Sequence, residues 1–421
     1  MSETRWDVVV IGGGPAGLAA AARAAESGAK TMLIDDNPRL GGQIWRAGIT
    51  TANGDFKTWE ERVLQSGVNV LAGVQIVECP ERGVLMGEDY KGLHAIRYSR
   101  LVLATGAREL LLPFPGWTLP NVCGCGGLQS LVKSGLNVRG KRLAVAGTGP
   151  LLLAAAAYLR KCGGEIALIA EQASLARLAG FATRLFSSPA KLRQAFSFKG
   201  ELEGVALRTS CWPVEARGDG QLSEVKFRSR RDQFTVSCDY LAYGFGLVPN
   251  LELPRLLGCE VREGFVVTDE RQQTSVESVY CAGEPTGIGG VDAAICEGQI
   301  AGLAAAGRET EAKGFLRERL RGKKFEKLLR TTFVLRPELR GLCREDTFVC
   351  RCEDVTFGRV REMKSWREAK LQTRCGMGAC QGRTCGASAE FLFGWNAVHT
   401  RPPVFPARVE TLSADSMSPE G

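Results

Sequence analysis

The chain has 421 residues, of which 44% are hydrophobic, enough for about two to three domains with substantial cores. Its net charge of +8 at pH 7 is mild for this length and gives no signature of nucleic-acid binding. Fifteen cysteines at irregular spacing, without a secretory leader, predict a reducing compartment and a cytoplasmic location. The longest apolar run, 143–159, is interrupted by Gly and Pro, so no transmembrane segment is expected.

The N-terminus predicts a dinucleotide-binding fold. Residues 7–11 form an apolar strand, an Ala-rich helix runs to about Ser27, and a second strand over 31–34 ends at an acidic residue. Between them, the first Gly of the turn allows the bend, the second admits a pyrophosphate, and the third lets helix and strand pack closely. The acid accepts hydrogen bonds from ribose hydroxyls, and the phosphates face the helix N-terminus. The predicted cofactor-binding residues are Gly12, Gly14, Pro15, Ala16, Gly17 and Asp35.

Three further segments resemble motifs of flavoproteins that have two dinucleotide-binding domains. A buried strand over 101–107 (LVLATGA) ends in a small-residue turn, and a strand over 279–284 (VYCAGE) precedes a helix over 292–305. The resemblance implies that the acid after AG holds the ribityl chain of FAD, and here that acid is Glu in place of the usual Asp. It also implies that the Gly41-Gly42-Gln43 segment passes close to the flavin. The cofactor-binding residues added in this way are Gly42, Gln43, Ala104, Thr105, Gly106, Gly283 and Glu284.

A second copy of the fingerprint is degenerate. A strand over 141–146, the turn GTGPLL, a helix over 153–161 and a strand over 166–170 repeat the pattern, but Leu152 occupies the third Gly position. Glu171 would repel a 2′-phosphate, which disfavours NADP. Two interpretations stay open here: a second nucleotide, NAD or ATP-like, or a fold that has lost its cofactor. The candidate binding residues are Gly147, Gly149 and Glu171.

Four cysteines near the C-terminus predict a metal centre, because convergent thiolates hold either zinc or an iron–sulfur cluster. Their C-x-C and C-x4-C spacing differs from the C-x2-C pairs of zinc sites. It resembles the bacterioferritin-associated-ferredoxin-like [2Fe–2S] domain, a small helical domain with ligands on loops, over about 347–393. Zinc and an empty or regulatory thiol cluster remain as alternatives. Cys375 could substitute as a ligand but is interpreted as a neighbouring or free thiol. The predicted metal ligands are Cys350, Cys352, Cys380 and Cys385.

Other features carry weaker signals. Cys123 and Cys125 lie near the region where low-molecular-weight thioredoxin reductases carry CxxC, but CxC spacing strains a disulfide and favours loop cysteines. Segment 308–345 holds twelve Lys and Arg against six Glu, which indicates solvated helices or a linker, or a docking surface for an acidic partner. His94 and His399 are the two histidines, and no carboxylate pair or activated nucleophile stands out, so no catalytic residue is assigned.

The order of these motifs along nearly the whole chain resembles one family, the α-type (A) subunits of heteromeric amino-acid and opine dehydrogenases. The family includes subunits of D-hydroxyproline dehydrogenase, octopine and nopaline oxidase, and hydrogen cyanide synthase. The stretches that carry the resemblance are DVVVIGGGPAGLAAA, YGFGLVPN, GGVDAAICEGQIAG and CRCED…GMGACQGRTC. It implies a β subunit like D-amino-acid oxidase, which oxidises the amine at its own flavin, and, as an optional partner, a small ferredoxin-like γ subunit. The cofactors implied for this chain are FAD and a [2Fe–2S] cluster.

The expected fold class is α/β, with two Rossmann-like domains and a small helical [2Fe–2S] domain. The expected function is electron relay within a hetero-oligomer. A self-contained NAD(P)H-dependent oxidoreductase and a non-catalytic scaffold are the rival functions. The expected domains are an FAD domain (1–115 and 236–310), a second dinucleotide domain (116–235), a basic linker (311–345), a cluster domain (346–395) and a tail (396–421).

Overall fold

The computed structural model describes residues 5–45, 54–185, 189–230, 232–396 and 400–414. Short strands and medium-length helices alternate along the chain, as the sequence pattern predicts for stacked α/β domains. The strands are β1 Arg5–Ile11, β2 Thr31–Asp35, β3 Asn69–Ala72, β4 Gln75–Glu78, β5 Val84–Glu88, β6 Leu93–Leu103, β7 Ala107–Glu109, β8 Val122–Gly124, β9 Arg142–Gly147, β10 Glu165–Glu171, β11 Leu207–Thr209, β12 Trp212–Arg217, β13 Glu224–Arg228, β14 Gln233–Ser237, β15 Tyr240–Gly244, β16 Leu247–Pro249, β17 Val261–Arg262, β18 Phe265–Val266, β19 Val279–Cys281, β20 Phe348–Cys350 and β21 Val355–Thr356.

The α-helices lie mostly between consecutive parallel strands, with a further group in the C-terminal third. They are α1 Pro15–Glu26, α2 Gly42–Trp45, α3 Gly54–Gln65, α4 Cys125–Lys133, α5 Pro150–Lys161, α6 Leu175–Leu185, α7 Pro189–Glu201, α8 Glu252–Leu256, α9 Val291–Ala305, α10 Glu309–Ala312, α11 Leu316–Thr332, α12 Phe357–Val360, α13 Trp366–Thr373, α14 Cys385–Phe393 and α15 Val409–Ala414. Within the described part of the chain, no helix combines the length and hydropathy needed to cross a bilayer.

The chain divides into two compact units. The first comprises residues 1–108, 249–327 and 399–421, and the second comprises 109–248 and 328–398. The first unit therefore takes up the end of the chain, where the backbone N–H of Val404 donates to Val77 O and α15 bonds through Thr411 to Glu88. The second unit contains both the degenerate fingerprint and the cysteine-rich segment.

The first unit is built on a seven-stranded sheet. Its parallel strands run in the order β3-β2-β1-β6, with β19 also parallel to β6, while β4 and β5 form an antiparallel extension on the other half of β6. On one face, α9 packs directly on α1. A Cβ at Gly298 would lie 2.1 Å from Ala16 O, and a Cβ at Gly302 would lie 2.2 Å from Ala20 O. The GGVDAAICEGQIAG stretch is thus Gly-rich because two helix backbones touch.

The second unit repeats this plan. Its parallel sheet has the order β11-β10-β9-β15-β8, and β12-β13-β14 form an antiparallel sheet as the counterpart of the β4–β5 extension. The core under the sheet contains Leu143, Val145 and Leu152 from the degenerate repeat. Segment 346–395 follows with the β20–β21 hairpin and three short helices, so the domain expected to be helical begins with a small antiparallel pair.

Several predicted element ends move by a few residues for local reasons. The strand predicted over 101–107 ends at Leu103, because Gly106 turns the chain at φ +66°. The strand predicted to reach 284 ends at Cys281, before Gly283 at φ +80°. The helix predicted from 153 begins at Pro150, whose fixed φ suits the first helical turn.

Candidate functional site: a flavin cradle and a five-cysteine group

The parallel strands of the first unit end together, which places the first fingerprint at the carboxyl edge of the sheet. Ile11 lies beside Ile34 on one side and Leu103 on the other, so the loops after these three strands are neighbours. Open α/β sheets bind ligands at this edge. The predicted cofactor residues that follow these strands, Gly12 to Gly17, Asp35 and Ala104 to Gly106, are therefore brought to one place.

The structure explains the glycines of the first loop in two different ways. A Cβ at Gly12 would lie 2.2 Å from Ala104 O, and a Cβ at Gly17 would lie 1.7 Å from Gly12 O, so both are required by close backbone packing. Gly14 is different. Its φ of −79° and ψ of −173° suit any residue, and the nearest non-neighbouring atom to a Cβ would be Gly42 Cα, at 3.8 Å. Neither the backbone nor the protein interior requires Gly at 14, so the space above it fits a ligand.

Asp35 is buried at the end of β2 and is held by the loop around it. Its Oδ2 accepts a hydrogen bond from the backbone N–H of Gly13, and its Oδ1 accepts one from the N–H of Asn37 at 2.7 Å. The Nδ2 of Asn37 also donates to Oδ1 at 3.1 Å. A carboxylate has about four acceptor positions, so about one remains for a ribose hydroxyl. The neighbouring Gly42, at φ +58°, crosses over the loop, where a Cβ would come within 3.0 Å of Gly14 Cα. Gln43 is exposed in α2.

Glu284 follows β19, with its Oε2 3.6 Å from the position that a Cβ on Gly106 would occupy. Burial raises the pKa of Glu284 to about 7, although the Ala107 N–H partly offsets this. The carboxyl of the ligand-free protein therefore keeps its proton to a higher pH than an exposed glutamate does. A polar ligand at this position would supply the hydrogen bonds that the protein leaves unmade.

Two side chains that sequence reasoning missed hold this loop. Buried Glu297 of α9 accepts hydrogen bonds from Gly283 N–H at 3.0 Å and from Thr286 Oγ1 at 2.6 Å. Lys323, from the basic segment, lies 3.2 Å from Glu297 and donates to Thr286 O at 2.7 Å. This lysine is thus a structural brace. Its only sequence signal was its place in a charge-rich helix, which does not reveal a buried partner.

Asn250 was also missed, although it closes the quoted YGFGLVPN stretch. Its Nδ2 donates to Thr105 O and its backbone carbonyl accepts from Thr105 Oγ1, both at 2.8 Å. Its backbone N–H donates to Gly106 O at 3.0 Å. Asn250 therefore holds the predicted Ala104-Thr105-Gly106 turn in its shape.

The second fingerprint has the same parts in a different arrangement. Glu171, buried at the end of β10, accepts hydrogen bonds from Thr148 Oγ1 at 2.7 Å, Gly149 N–H at 2.8 Å and Ala173 N–H at 2.7 Å. Burial raises the pKa of Glu171, and these donors partly offset the rise. Its carboxylate thus serves as a loop brace.

Backbone geometry explains why both positions of this loop are Gly. Gly147 has φ +131°, and a Cβ there would lie 1.8 Å from Gly244 O. Gly149 has φ +97° with open space around its Cβ position, so backbone conformation alone favours Gly there. Leu152, 1% exposed, lies in the core of its unit, which shows how the fold accommodates the missing third Gly.

Three of the five cysteines in segment 350–385 form a buried sulfur group. The sulfurs of Cys350, Cys375 and Cys385 lie within 4.8 Å of one another, and all three residues are buried. Cys352 and Cys380 are hydrogen-bond partners, and charge coupling links Cys352 to Cys350 and Cys380 to Cys375. The structure therefore places two of the four predicted ligands, Cys350 and Cys385, in one sulfur group, and the other two, Cys352 and Cys380, beside each other outside it. The structure adds Cys375, which sequence reasoning had set aside, as a full member of the group.

The surrounding loops are shaped to admit the sulfurs. A Cβ at Gly376 would lie 2.4 Å from the Trp366 ring, and a Cβ at Gly378 would lie 2.3 Å from Cys352 Cβ. The backbone N–H of Gly376 donates a hydrogen bond to Cys350 Sγ at 3.5 Å. Glu353, next to Cys352, pairs with Arg374 at 2.6 Å and ties the two cysteine loops together.

The sulfur group carries thiolate character. Hydrogen bonds from the thiols of Cys375 and Cys385 lower the pKa of Cys350 to about 2, while the same contact with Cys350 raises the pKa of Cys375 to about 12. Cys350 is thus the thiol of this group that loses its proton most readily. A bound cation would release the remaining protons, since thiolates are the metal-ligating form. An all-sulfur donor set of this kind fits iron–sulfur clusters and zinc.

Cys123 and Cys125 are separate thiols. Burial raises the pKa of both, with Cys125 at the start of α4 the more deeply buried. His94 lies 3.2 Å from Asp89 in the first unit. His399 lies outside the described residues.

Comparison with known proteins identifies the family to which the chain belongs. The family model for pyridine nucleotide-disulphide oxidoreductases matches residues 6–298. The chain belongs to the pyridine nucleotide-disulphide oxidoreductase family. Its members are flavin-dependent, and the chain is accordingly an oxidoreductase.

Relatives within this family match over most of the chain. Hydrogen cyanide synthase subunit HcnB of Pseudomonas aeruginosa is 33% identical, with 90% of each chain covered. The A subunit of opine oxidase from Rhizobium meliloti (strain 1021) is 32% identical, with 92% of each covered. Among solved structures, L-proline dehydrogenase from P. horikoshii superposes with a TM-score of 0.67 at 20% identity, covering 97% of this chain and 79% of that one. Thioredoxin reductase from T. acidophilum gives 0.57 at 20% identity, covering 73% and 99%. These two structures share the fold.

Proposed function

We propose that this chain is the electron-transferring flavin and iron–sulfur subunit of a heteromeric amino-acid dehydrogenase of the D-hydroxyproline or opine type. One observation carries the proposal: the chain that has a loop open to a ligand at Gly14 also brings three buried cysteine sulfurs together in its C-terminal segment. The relatives from hydrogen cyanide synthase and opine oxidase match this chain over about nine-tenths of its length.

FAD fits the first unit. Gly14 leaves open space where a pyrophosphate would lie, and Asp35 keeps about one acceptor position for a ribose hydroxyl. Buried Glu284 accepts from the Ala107 N–H and keeps further acceptor capacity where a ribityl chain would lie. Bound FAD supplies chemistry that accepts two electrons together and releases them singly. The chain's part is to orient the cofactor, with Asn250 and Glu297 keeping the two flanking turns rigid.

A [2Fe–2S] cluster is proposed for the cysteine group, with Cys350, Cys352, Cys380 and Cys385 as ligands. The support is the buried sulfur group, which contains Cys350 and Cys385 of this set, together with the Gly376 N–H that faces Cys350 Sγ. Cys375 would then be a neighbouring thiol whose hydrogen bond to Cys350 tunes the cluster. Zinc remains the competing occupant, and metal analysis of the purified protein decides between them.

Amine oxidation is assigned to another chain. Among the described residues, the carboxyl groups with raised pKa values are those of Glu109, Glu171 and Glu284, and each accepts hydrogen bonds from backbone N–H groups. None is paired with a second acid or a histidine as general acid–base catalysis would need. The proposed partner is a β subunit like D-amino-acid oxidase, optionally joined by a small ferredoxin-like γ subunit, and the proposed location of the complex is the cytoplasm.

A second candidate is an NAD(P)H-dependent reductase that passes electrons outward. It needs a nucleotide at the second fingerprint. There, Glu171 accepts three loop hydrogen bonds, as Asp35 also does, so the acids do not separate the two loops. The difference lies in the glycines: the positive φ of Gly149 explains that glycine, whereas neither backbone nor packing requires Gly14. Flavin bleaching on adding NADH under anaerobic conditions would support this candidate against the relay.

The test compares the isolated chain with the chain co-expressed with its oxidase-like partner. The isolated chain should carry about one FAD and two irons but should not reduce an artificial dye with D-hydroxyproline, opines or glycine. The co-expressed complex should turn over one of these substrates. Robust dye reduction by the isolated chain would place the substrate site here and overturn the relay.

A further inference from the structure

The five cysteines of segment 350–385 divide by burial into an inner trio and an outer pair. Cys350, Cys375 and Cys385, the inner trio, are each at most 1% exposed, and their sulfurs lie within 4.8 Å of one another. Cys352 is exposed and Cys380 is half-buried, and this outer pair does not belong to the group. The proposed cluster takes two cysteines from each class and leaves Cys375 out. It therefore does not account for the inner trio as a group.

Three separate elements bring the inner trio together. Cys350 ends β20, Cys385 begins α14, and Cys375 follows α13. Between α13 and Cys375 the chain turns at Arg374, which has a positive φ of 65°. Apolar residues such as Val355 form one small core with the three cysteines. The fold thus holds three sulfurs close together inside an apolar core.

The spacing and chemistry of the inner trio suit one thiophilic metal ion. A Zn–S bond is about 2.3 Å long, so two sulfurs on one tetrahedral ion lie about 3.8 Å apart, which is within the spacing of the trio. Thiolates select zinc, copper(I) and iron–sulfur clusters, whereas magnesium and calcium prefer oxygen ligands. Among the described residues, no carboxylate or imidazole belongs to the group. The backbone N–H of Gly376, which donates to Cys350 Sγ, adds a contact that stabilises a metal-bound thiolate.

We propose that the iron-free chain binds one zinc ion at the inner trio, through the sulfurs of Cys350, Cys375 and Cys385, with water at the fourth position. Each of the three thiols releases its proton to solvent as it binds the ion. Because the trio is buried, the ion enters while the segment folds or opens locally, and its binding energy stabilises the folded segment. The zinc site shares two cysteines with the proposed cluster, so the two occupants exclude each other. Zinc is thus a holding state that keeps this segment folded until iron and sulfide arrive.

The test uses a full-length variant in which the outer pair is removed, Cys352→Ser/Cys380→Ser. This variant has lost two ligands of the proposed cluster and keeps the inner trio. Purified without metal under anaerobic conditions, it should bind one equivalent of cobalt(II), with a thiolate-to-cobalt charge-transfer band, and zinc should displace the cobalt.

Adding Cys375→Ser to this variant should weaken cobalt binding by at least about 100-fold, because loss of even a group that supports a ligand costs about 10- to 100-fold in metal affinity. Adding Cys343→Ser instead is the matched control. Cys343 is a half-buried thiol that donates to Pro113 O at 3.4 Å and lies outside the group, so its removal should leave cobalt affinity unchanged.

A second measurement keeps the inference testable if Cys375→Ser alters the fold. X-ray absorption at the zinc edge of the zinc-loaded outer-pair variant should show three sulfurs at about 2.3 Å and one oxygen. Fewer than three sulfurs would overturn the proposal. So would failure of the outer-pair variant to bind either metal, or an unchanged cobalt affinity after Cys375→Ser.

The outcome is distinguishable from failure of the proposed function, because different proteins report on the two occupants. Iron in the wild type, without metal binding by the outer-pair variant, refutes the zinc site alone. Zinc bound by three sulfurs in the variant, without iron in anaerobically purified wild type, refutes the cluster and leaves the zinc site standing.

Discussion

Substituting Gly14 by Val tests the flavin assignment most directly. Gly14 has an extended backbone that Val adopts readily, and a Cβ there would have Gly42 Cα as its nearest non-neighbouring atom at 3.8 Å. The substitution should therefore leave the ligand-free fold intact. Replacing Gly at a compatible φ/ψ even stabilises a protein, by about 0.4–1 kcal/mol.

The loss should appear only with ligand. Forcing extra methyl groups into a filled site costs about 1–3 kcal/mol, which corresponds to roughly a 5- to 150-fold loss of FAD affinity, and more if the pyrophosphate cannot retreat. Gly149→Val should behave in the opposite way. Its φ of +97° makes a β-branched residue strained, so the fold should lose about 1–2 kcal/mol or more while FAD binding stays unchanged.

The assay is FAD content after purification, followed by titration of the stripped protein with FAD and urea unfolding without it. Gly17→Ala is the folding control, because its Cβ would lie 1.7 Å from Gly12 O and should destabilise the unit before any ligand is added. Equal loss of FAD in the Gly14 and Gly149 variants would refute the assignment of the two units. A Gly14 variant that unfolds without ligand would refute the interpretation of an open cradle.

Three further outcomes are expected. Cys380→Ser should lose iron while keeping FAD. Cys375→Ser should keep about two irons per chain, with a shifted visible spectrum. Loss of iron from the Cys375 variant would show that Cys375 is a ligand. In FAD-free protein, the pKa of Glu284 is raised to about 7 from an ordinary 4.5, so the stability that this residue contributes falls as pH rises through 7. Glu284→Gln should therefore be more stable than the wild type by at most about 3 kcal/mol at pH 8.5 and differ little from it at pH 4.5. Equal urea midpoints for the two proteins at both pH values would contradict this. Reversing the charge of three exposed cations on one face of α11 should weaken assembly with the oxidase-like partner in a salt-dependent way. Reversing Lys57, Arg82 and Lys91 is the charge-matched control. If the two triple variants co-purify equally well with the partner, that face of α11 is not part of the contact. The three cations are Arg317, Arg321 and Lys324.

Much of the first unit could be predicted from sequence because its rules are local. A strand, a Gly-rich turn, a helix and a strand that ends in Asp35 specify a dinucleotide fold within about thirty residues. The repeat at 141–171 followed from the same pattern. The reason why each glycine is present could not be predicted in this way. Gly14 and Gly149 occupy equivalent places in the motif, yet one has an extended backbone and the other a positive φ.

The sequence by itself determined the α/β class, the two fingerprints and the position of the cysteine-rich segment, because these depend on residue type and spacing along a short stretch of chain. Only the tertiary structure decided that Cys375 joins Cys350 and Cys385, that Lys323 braces Glu297, and that the Tyr243 hydroxyl is left without a partner among the described residues. Each of these depends on which distant side chains meet once the chain is packed. Burial then changes the energy of a charge or a hydrogen bond, and burial is a property of the folded chain that residue spacing does not contain.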